Sequence, residues 1–174
     1  MGDVIVVTGP PGAGKSAVAR QLSKWFDASA LVLGDAFFGF LDSGAIDPWR
    51  EEAHQQNTAV IEAAAAASGR LADYCAVVYD GVVGPWFLPA FLVATGRPYL
   101  HYAVLLPPLE VCLHRIEARR GHGFTDLSAA EHMWNDFHAA KISPGHVIDD
   151  HGLEPGGIAR ALAGRIDTGA IRYP

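Results

Sequence analysis

The sequence predicts a three-layer α/β domain, a mostly parallel sheet of five strands sandwiched between helices. Three observations carry this prediction. The apolar runs "VIVV" (4–7), "AVVY" (76–79) and "YAVLL" (102–106) lack polar alternation, as strands covered on both faces do. Longer segments of helical character separate those runs. The first run also leads through "GPPGAGKS" (9–16) into the amphipathic "SAVARQLSKWF", a strand, glycine loop and helix in succession.

In chain order, Asp3 to Thr8 reads as a first strand and 15–26 as the helix after the loop. A second strand at 30–34 precedes the short aromatic stretch "AFFGFL". A helix over 48–68 starts at the Asp47-Pro48 turn, and its "EAAAAAS" end is a strong helix former rather than a low-complexity segment. A third strand at 75–80 stops at Asp80-Gly81, and Gly84-Pro85 opens a helix at 86–95. A fourth strand at 99–106 leads to a helix at 108–120, which "GHG" (121–123) breaks. A helix at 128–140, a strand at 146–149 and a helix at 155–166 complete the pattern. No repeat or linker divides the 174 residues, so a single domain, 1–174, is expected.

Composition narrows the function. Half of the residues are apolar, yet no uncharged apolar run reaches the length of a membrane span. "MGDVIVVTGPPGAGKS" has no basic region of a signal peptide and no Ser or Thr at position 6 for myristoylation. Cys75 and Cys112 fall in segments expected to be buried, which suits reduced thiols and a cytoplasmic location. A formal net charge of −6, with one basic cluster at 115–120, argues against general nucleic-acid binding. The eight histidines show no metal-ligand spacing, so no zinc site is expected. Nothing in the sequence fixes the oligomeric state.

Gly9, Gly14, Lys15 and Ser16 fit G-x-x-x-x-G-K-[ST], the loop that wraps nucleoside triphosphate phosphates. The glycines let backbone N–H groups turn to the anion, and the helix N-terminus adds its positive end. The expected ATP contacts are therefore Gly9, Pro10, Pro11, Gly12, Ala13, Gly14, Lys15, Ser16 and Ala17. The other reading is a Gly-rich turn that binds nothing. A GTP switch protein would carry N-K-x-D and a transporter ATPase L-S-G-G-Q, and neither motif is present. Ring-forming ATPases need a further helical domain. What remains is a small kinase that moves a γ-phosphoryl group to a small molecule.

Such chemistry needs a carboxylate near magnesium, a group that orients the acceptor, cations over the phosphoryl group, and a lid. Asp80 ends the third strand beside the loop-bearing strand, and with the Ser16 hydroxyl it would hold Mg²⁺; otherwise Asp80-Gly81 is only a turn. Asp35 follows the second strand, where a carboxylate can accept the acceptor's proton; otherwise it N-caps "AFFGFL". Arg115 and Arg119 share a helix face at i, i+4 and are the candidate phosphoryl clamps, with Arg120 pointing elsewhere. Their other reading is a solvated basic face. The lid is expected over 121–138.

Together "GPPGAGKS", "GDAFF", "YDG" and the Arg115–Phe124 stretch resemble the small P-loop kinases of the gluconate kinase, shikimate kinase and chloramphenicol phosphotransferase group. The chain is also similar to tunicamycin-resistance proteins. The resemblance covers most of the chain and implies the P-loop NTPase fold with a small helical lid. It places Asp35 where chloramphenicol phosphotransferase has its proposed base. Arg115, Arg119, Gly121 and His122 match the gluconate kinase lid pattern, but Gly123 interrupts before Phe124. By the same resemblance, "HVIDDHG" implies adenine contact at Asp149, Asp150 and Gly152. It also implies an antibiotic or a sugar-like metabolite as acceptor.

The expected acceptor pocket is aromatic rather than cationic. Phe37, Phe38 and Phe40 follow Asp35, Trp49 follows Asp47-Pro48, and Trp86 with Phe87 follows Gly84-Pro85. Any one of these rings could instead be core. Arg50, His54 and Asn57 fall at i, i+4, i+7, a stripe that faces either acceptor or solvent. Phe38, Trp49, Arg50, His54 and Trp86 are the expected contacts to a partly apolar hydroxyl compound. The rival readings are a nucleoside or nucleotide kinase and a non-catalytic ATP-binding regulatory module.

Overall fold

A computed structural model of the chain describes residues 2–118, 124–148 and 152–174. Its elements are β1 (Val4–Thr8), α1 (Lys15–Leu22), β2 (Ser29–Leu33), α2 (Gly34–Phe38), α3 (His54–Leu71), β3 (Ala76–Asp80) and α4 (Leu88–Thr95). Then come β4 (Leu100–Leu105), α5 (Leu109–Ala118), α6 (Leu127–Ala139), β5 (Val147–Ile148), α7 (Pro155–Asp167) and β6 (Arg172–Tyr173). The sheet runs β2-β3-β1-β4-β5, all parallel, with β6 antiparallel on β4. The α/β architecture with five parallel strands between helices is as predicted.

Every residue of β1 is buried because the strand is central and covered twice. Val4 and Val6 face a core shared with Tyr79, Phe91 and Phe137, beneath α3, α4 and α6. Ile5 and Val7 face the opposite core, where Val18 and Leu22 of α1 meet Ile158 and Leu162 of α7. Register then sets the active end. Asp80 pairs with Val7 on one side and with Leu33 on the other, so the ends of β1, β2 and β3 lie level. The phosphate loop, Asp80 and Asp35 thus leave the sheet at one edge, beyond the strands' carboxyl ends.

Several boundaries differ from expectation. The first helix tightens into a 3₁₀ turn at Ser23–Trp25. The helix expected from 48 begins at His54, after a 3₁₀ turn at Glu51–Ala53. Arg50 is extended there (φ −82°, ψ 146°), so it sits before the helix rather than on it. "GDAFF" forms a one-turn helix whose N-cap is Leu33, with no side-chain cap bond. Asp35 lies inside that helix and does not cap it. β6 was not expected; its two residues carry no local strand signal and exist as a strand through pairing with Leu100 and His101. Among the described residues no helix is long and apolar enough to cross a membrane.

Candidate active site

The loop after β1 is shaped by close packing. Gly9 has φ +145°, and a Cβ there would collide with the Leu105 carbonyl oxygen of β4. Gly12 has φ +79°, and a Cβ there would strike the Cys112 carbonyl of α5. Only glycine meets both demands. Gly14 is the left-handed N-cap of α1. The Pro10 carbonyl accepts from the Ala13 N–H at 3.2 Å, closing the turn. The Lys15 ammonium, 9 % exposed, donates to the carbonyls of Gly9 and Pro10, each at 3.0 Å. It therefore sits inside the loop's curve, poised over the N-terminus of α1. Pro11, Gly12, Gly14, Lys15 and Ser16 line the cavity below; Ala17 is exposed and does not.

Arg115 reaches the loop from α5, donating from Nη1 to the carbonyls of Gly12 and Ala13, both at 3.3 Å. This is the phosphate edge, where the sequence places a clamp. Thr8, which sequence reasoning missed, locks the other side. Its hydroxyl accepts from the Val83 N–H at 2.8 Å and donates to the Val83 carbonyl at 3.3 Å. A buried Thr at a strand end is the signal that could have found it.

Asp80, 7 % exposed, lies beside the Ser16 hydroxyl. Burial pushes the Asp80 carboxyl above its ordinary value. The Ser16 hydroxyl and Lys15 ammonium pull it down, Asp35 pushes it up again, and the net shift is upward. Asp35 is exposed in the first turn of α2 and lines the cavity. Behind it stands Tyr79, missed from the sequence. Its hydroxyl is buried against Gly34, where any Cβ would collide with it. Burial, with Asp35 and Asp80 nearby, drives that hydroxyl far above its usual range, so it stays neutral.

From this edge a cavity of about 610 Å³ opens between α2, α3 and α6. Phe38, Trp49, Arg50, His54 and Trp86 all line it, as does Asn57. Trp49 meets Phe124 edge-on, with ring centroids 5.3 Å apart. His54 stacks on Phe87 at 5.5 Å and 20°, while Trp86 leans on Phe137 at 5.4 Å. Arg50 lies 3.7 Å from Asp47. Two expected rings fall outside: Phe37 packs on the core, and Phe40, 77 % exposed, pairs edge-on with Phe37. Both follow from the turn of α2, which leaves one of the three rings facing the cavity.

The opposite wall falls within the segment 121–138 expected as a lid, though none of its residues was singled out in the sequence. Ala129, His132, Met133 and Asp136 of α6 line the cavity at i, i+3, i+4, i+7, one helix face. That spacing was visible, but it mixes apolar and polar side chains. Asp126 caps α6 by accepting from the Ala129 N–H at 2.9 Å, and Trp134 Nε1 donates to the Pro107 carbonyl at 2.8 Å. Arg119, Arg120, Gly121 to Gly123, Asp149 and Asp150 lie outside the described residues. Gly152 has φ +87° on the connection to α7 and does not line the cavity. Among the described residues, no three His, Cys, Asp or Glu side chains gather as metal ligands.

A phosphate loop on a central parallel strand, with carboxylates at the neighbouring strand ends and a helical wall opposite, defines a P-loop domain. The chain belongs to the AAA domain family, whose model matches residues 5–133. The solved structure of the Deinococcus radiodurans tunicamycin resistance protein is similar, with a TM-score of 0.72 and 19% identity; the match covers 95% of this chain and 96% of that one. A sugar kinase from Janibacter sp. has a TM-score of 0.70 at 17% identity, covering 96% and 95%. A gluconokinase from Sinorhizobium meliloti has 0.67 at 21%, covering 96% and 93%. These likenesses concern the fold. No curated protein matches the chain significantly by sequence.

Proposed function

We propose that the protein is an ATP-dependent phosphotransferase acting on a hydroxyl of a small, partly apolar molecule. The observation that carries this reading is that Lys15, Ser16 and Asp35 line one aromatic cavity, with the buried Asp80 carboxyl next to them. A bare nucleotide-binding module has no use for Asp35 or for a walled acceptor space. The tunicamycin-resistance, sugar-kinase and gluconokinase structures support the class of chemistry, and the substrate is taken from the walls. Chain 1–174 acts as one unit in this proposal, with the segment 121–138 as its lid.

In the proposed mechanism the loop N–H groups and Lys15 hold the β- and γ-phosphates. Asp35 accepts the acceptor's hydroxyl proton and aims its oxygen at phosphorus. Arg115, tied to the loop backbone, keeps positive charge beside the transferring group. Arg119 serves as the second clamp, and Asp149, Asp150 and Gly152 border the adenine. The donor set suits magnesium: the Ser16 hydroxyl and the neighbouring Asp80 carboxylate are hard oxygens. When bound, Mg²⁺ would neutralise phosphate charge there. The test is ADP release from ATP across neutral, cationic and anionic hydroxyl compounds, with Lys15→Ala as control. Micromolar ATP binding with no acceptor-stimulated release from any compound would leave a binding module instead.

Asp80→Asn separates metal from fold. A buried carboxyl whose folded value is raised contributes stability at low pH that is lost as pH rises through that folded value. At neutral pH the ionised group therefore weighs against the nucleotide-free fold. Asp80→Asn is expected to raise Tm at neutral pH, with the gain vanishing below the ordinary carboxylate range. It should also weaken the Mg²⁺-dependent part of ATP affinity and spare the rest. A variant that melts lower at neutral pH would make Asp80 structural.

The lid proposal has its own test. Exchange of amide hydrogens in α6 and its preceding segment should slow when a non-hydrolysable ATP analogue and acceptor are added together. Identical exchange with and without ligands would remove the lid.

A further inference from the structure

We infer that the acceptor is an alcohol carrying a protonated amine on a planar or apolar body, and not a sugar acid. This deepens the phosphotransferase reading and rests on it. Beyond the phosphate edge, the described residues lining the cavity bring three carboxylates, Asp35, Glu51 and Asp136, against one guanidinium, Arg50. Arg50 is already 3.7 Å from Asp47, outside the cavity lining, so its charge is partly matched. Asp136 lies 3.6 Å from an imidazole nitrogen, His132 Nε2. Among the described residues, an anionic acceptor would meet repulsion from Glu51 and Asp136 offset chiefly by Arg50.

The aromatic wall adds a second, independent preference. Phe38, Trp49, Trp86 and Phe124 present rings to the same space. Ring faces attract ammonium groups and stack on planar bodies, while they give a carboxylate nothing to hold. Carboxylates and ring faces thus ask for the same partner, a positively charged group on an apolar frame.

Three probes share one ring and one secondary hydroxyl and differ in charge: phenylethanolamine is cationic, phenylethylene glycol neutral and mandelate anionic. Their dissociation constants are measured by calorimetry on the full chain, with a non-hydrolysable ATP analogue and Mg²⁺ present. The amine is expected to bind about tenfold tighter than the glycol, the scale of one modest charge interaction, and mandelate weakest. Glu51→Gln with Asp136→Asn should shrink the amine's advantage to about threefold or less. Both residues are exposed, so the variant should melt near the parent. Mandelate binding as well as the amine, or no amine binding while the nucleotide analogue binds, would overturn the inference alone. Failure of the analogue itself to bind would overturn the phosphotransferase reading, and this inference with it.

Discussion

Asp35→Asn is expected to cut the rate of acceptor phosphorylation by about 10²- to 10⁴-fold while leaving ATP affinity near its starting value. The substitution keeps the side chain's shape and removes the basic oxygen. Its structural footprint is small, because Asp35 is exposed and makes no cap bond on α2, whose N-cap is Leu33. Nor is its carboxylate needed to hold the phosphate loop, which closes through Pro10, Ala13 and Lys15. The one electrostatic side effect is on neighbours: removing the Asp35 charge relieves part of the upward push on Asp80 and Tyr79. Magnesium-dependent ATP binding should therefore hold or tighten slightly. The decisive comparison is kcat beside the ATP dissociation constant, at unchanged Tm. A folded Asn variant with normal kcat would strip Asp35 of its role and leave the cavity without a base.

Lys15→Ala is expected to lower turnover by about 10²- to 10³-fold and to weaken ATP binding, since a charged donor aimed at the phosphates disappears. Here the fold does register the change. The ammonium donates to two carbonyls, of Gly9 and Pro10, and is nearly buried. Gly9 loses that donor outright, whereas Pro10 keeps the Ala13 N–H. A loss of about 1–3 kcal/mol in stability follows from leaving a buried carbonyl short of a partner. Denaturant unfolding measures the stability term and calorimetry the nucleotide term. Unchanged ATP affinity in a folded Lys15→Ala protein would remove the phosphate-loop reading.

The phosphate end was legible because its demands are local. A strand, a tight loop and a helix start must adjoin in sequence, and the glycines that permit the turn are written in order. The end of the third strand was legible for the same reason, since its buried apolar run stops at Asp80. By contrast β2, an edge strand with only Val32 buried, ends at Leu33, one residue before the expected 34. What could not be read locally depends on partners distant in sequence. β6 is a strand only because β4 accepts it. Tyr79 matters because Gly34, 45 positions earlier, packs beneath its hydroxyl. The face of α6 that closes the cavity mixes Ala, His, Met and Asp, a pattern with no periodic apolar stripe to mark it. Arg50 shows the opposite case. The helical spacing that selected it does not exist, because Arg50 precedes α3 in extended backbone, yet it still lines the cavity with His54 and Asn57.

The division of labour between the two ends of the cavity has a bearing on how such a protein changes over generations. Its phosphate end is assembled largely from main-chain atoms packed against β4 and α5, where Gly9 and Gly12 admit no side chain. Mutation there is punished at once. The far end is assembled from side chains on α2, α3 and α6 and the segments between them, several of them exposed: Trp49, Glu51, His132, Asp136. Replacements at those positions leave the loop's main chain untouched and should combine nearly additively with it. A lineage with this layout is expected to change its far end faster than its loop.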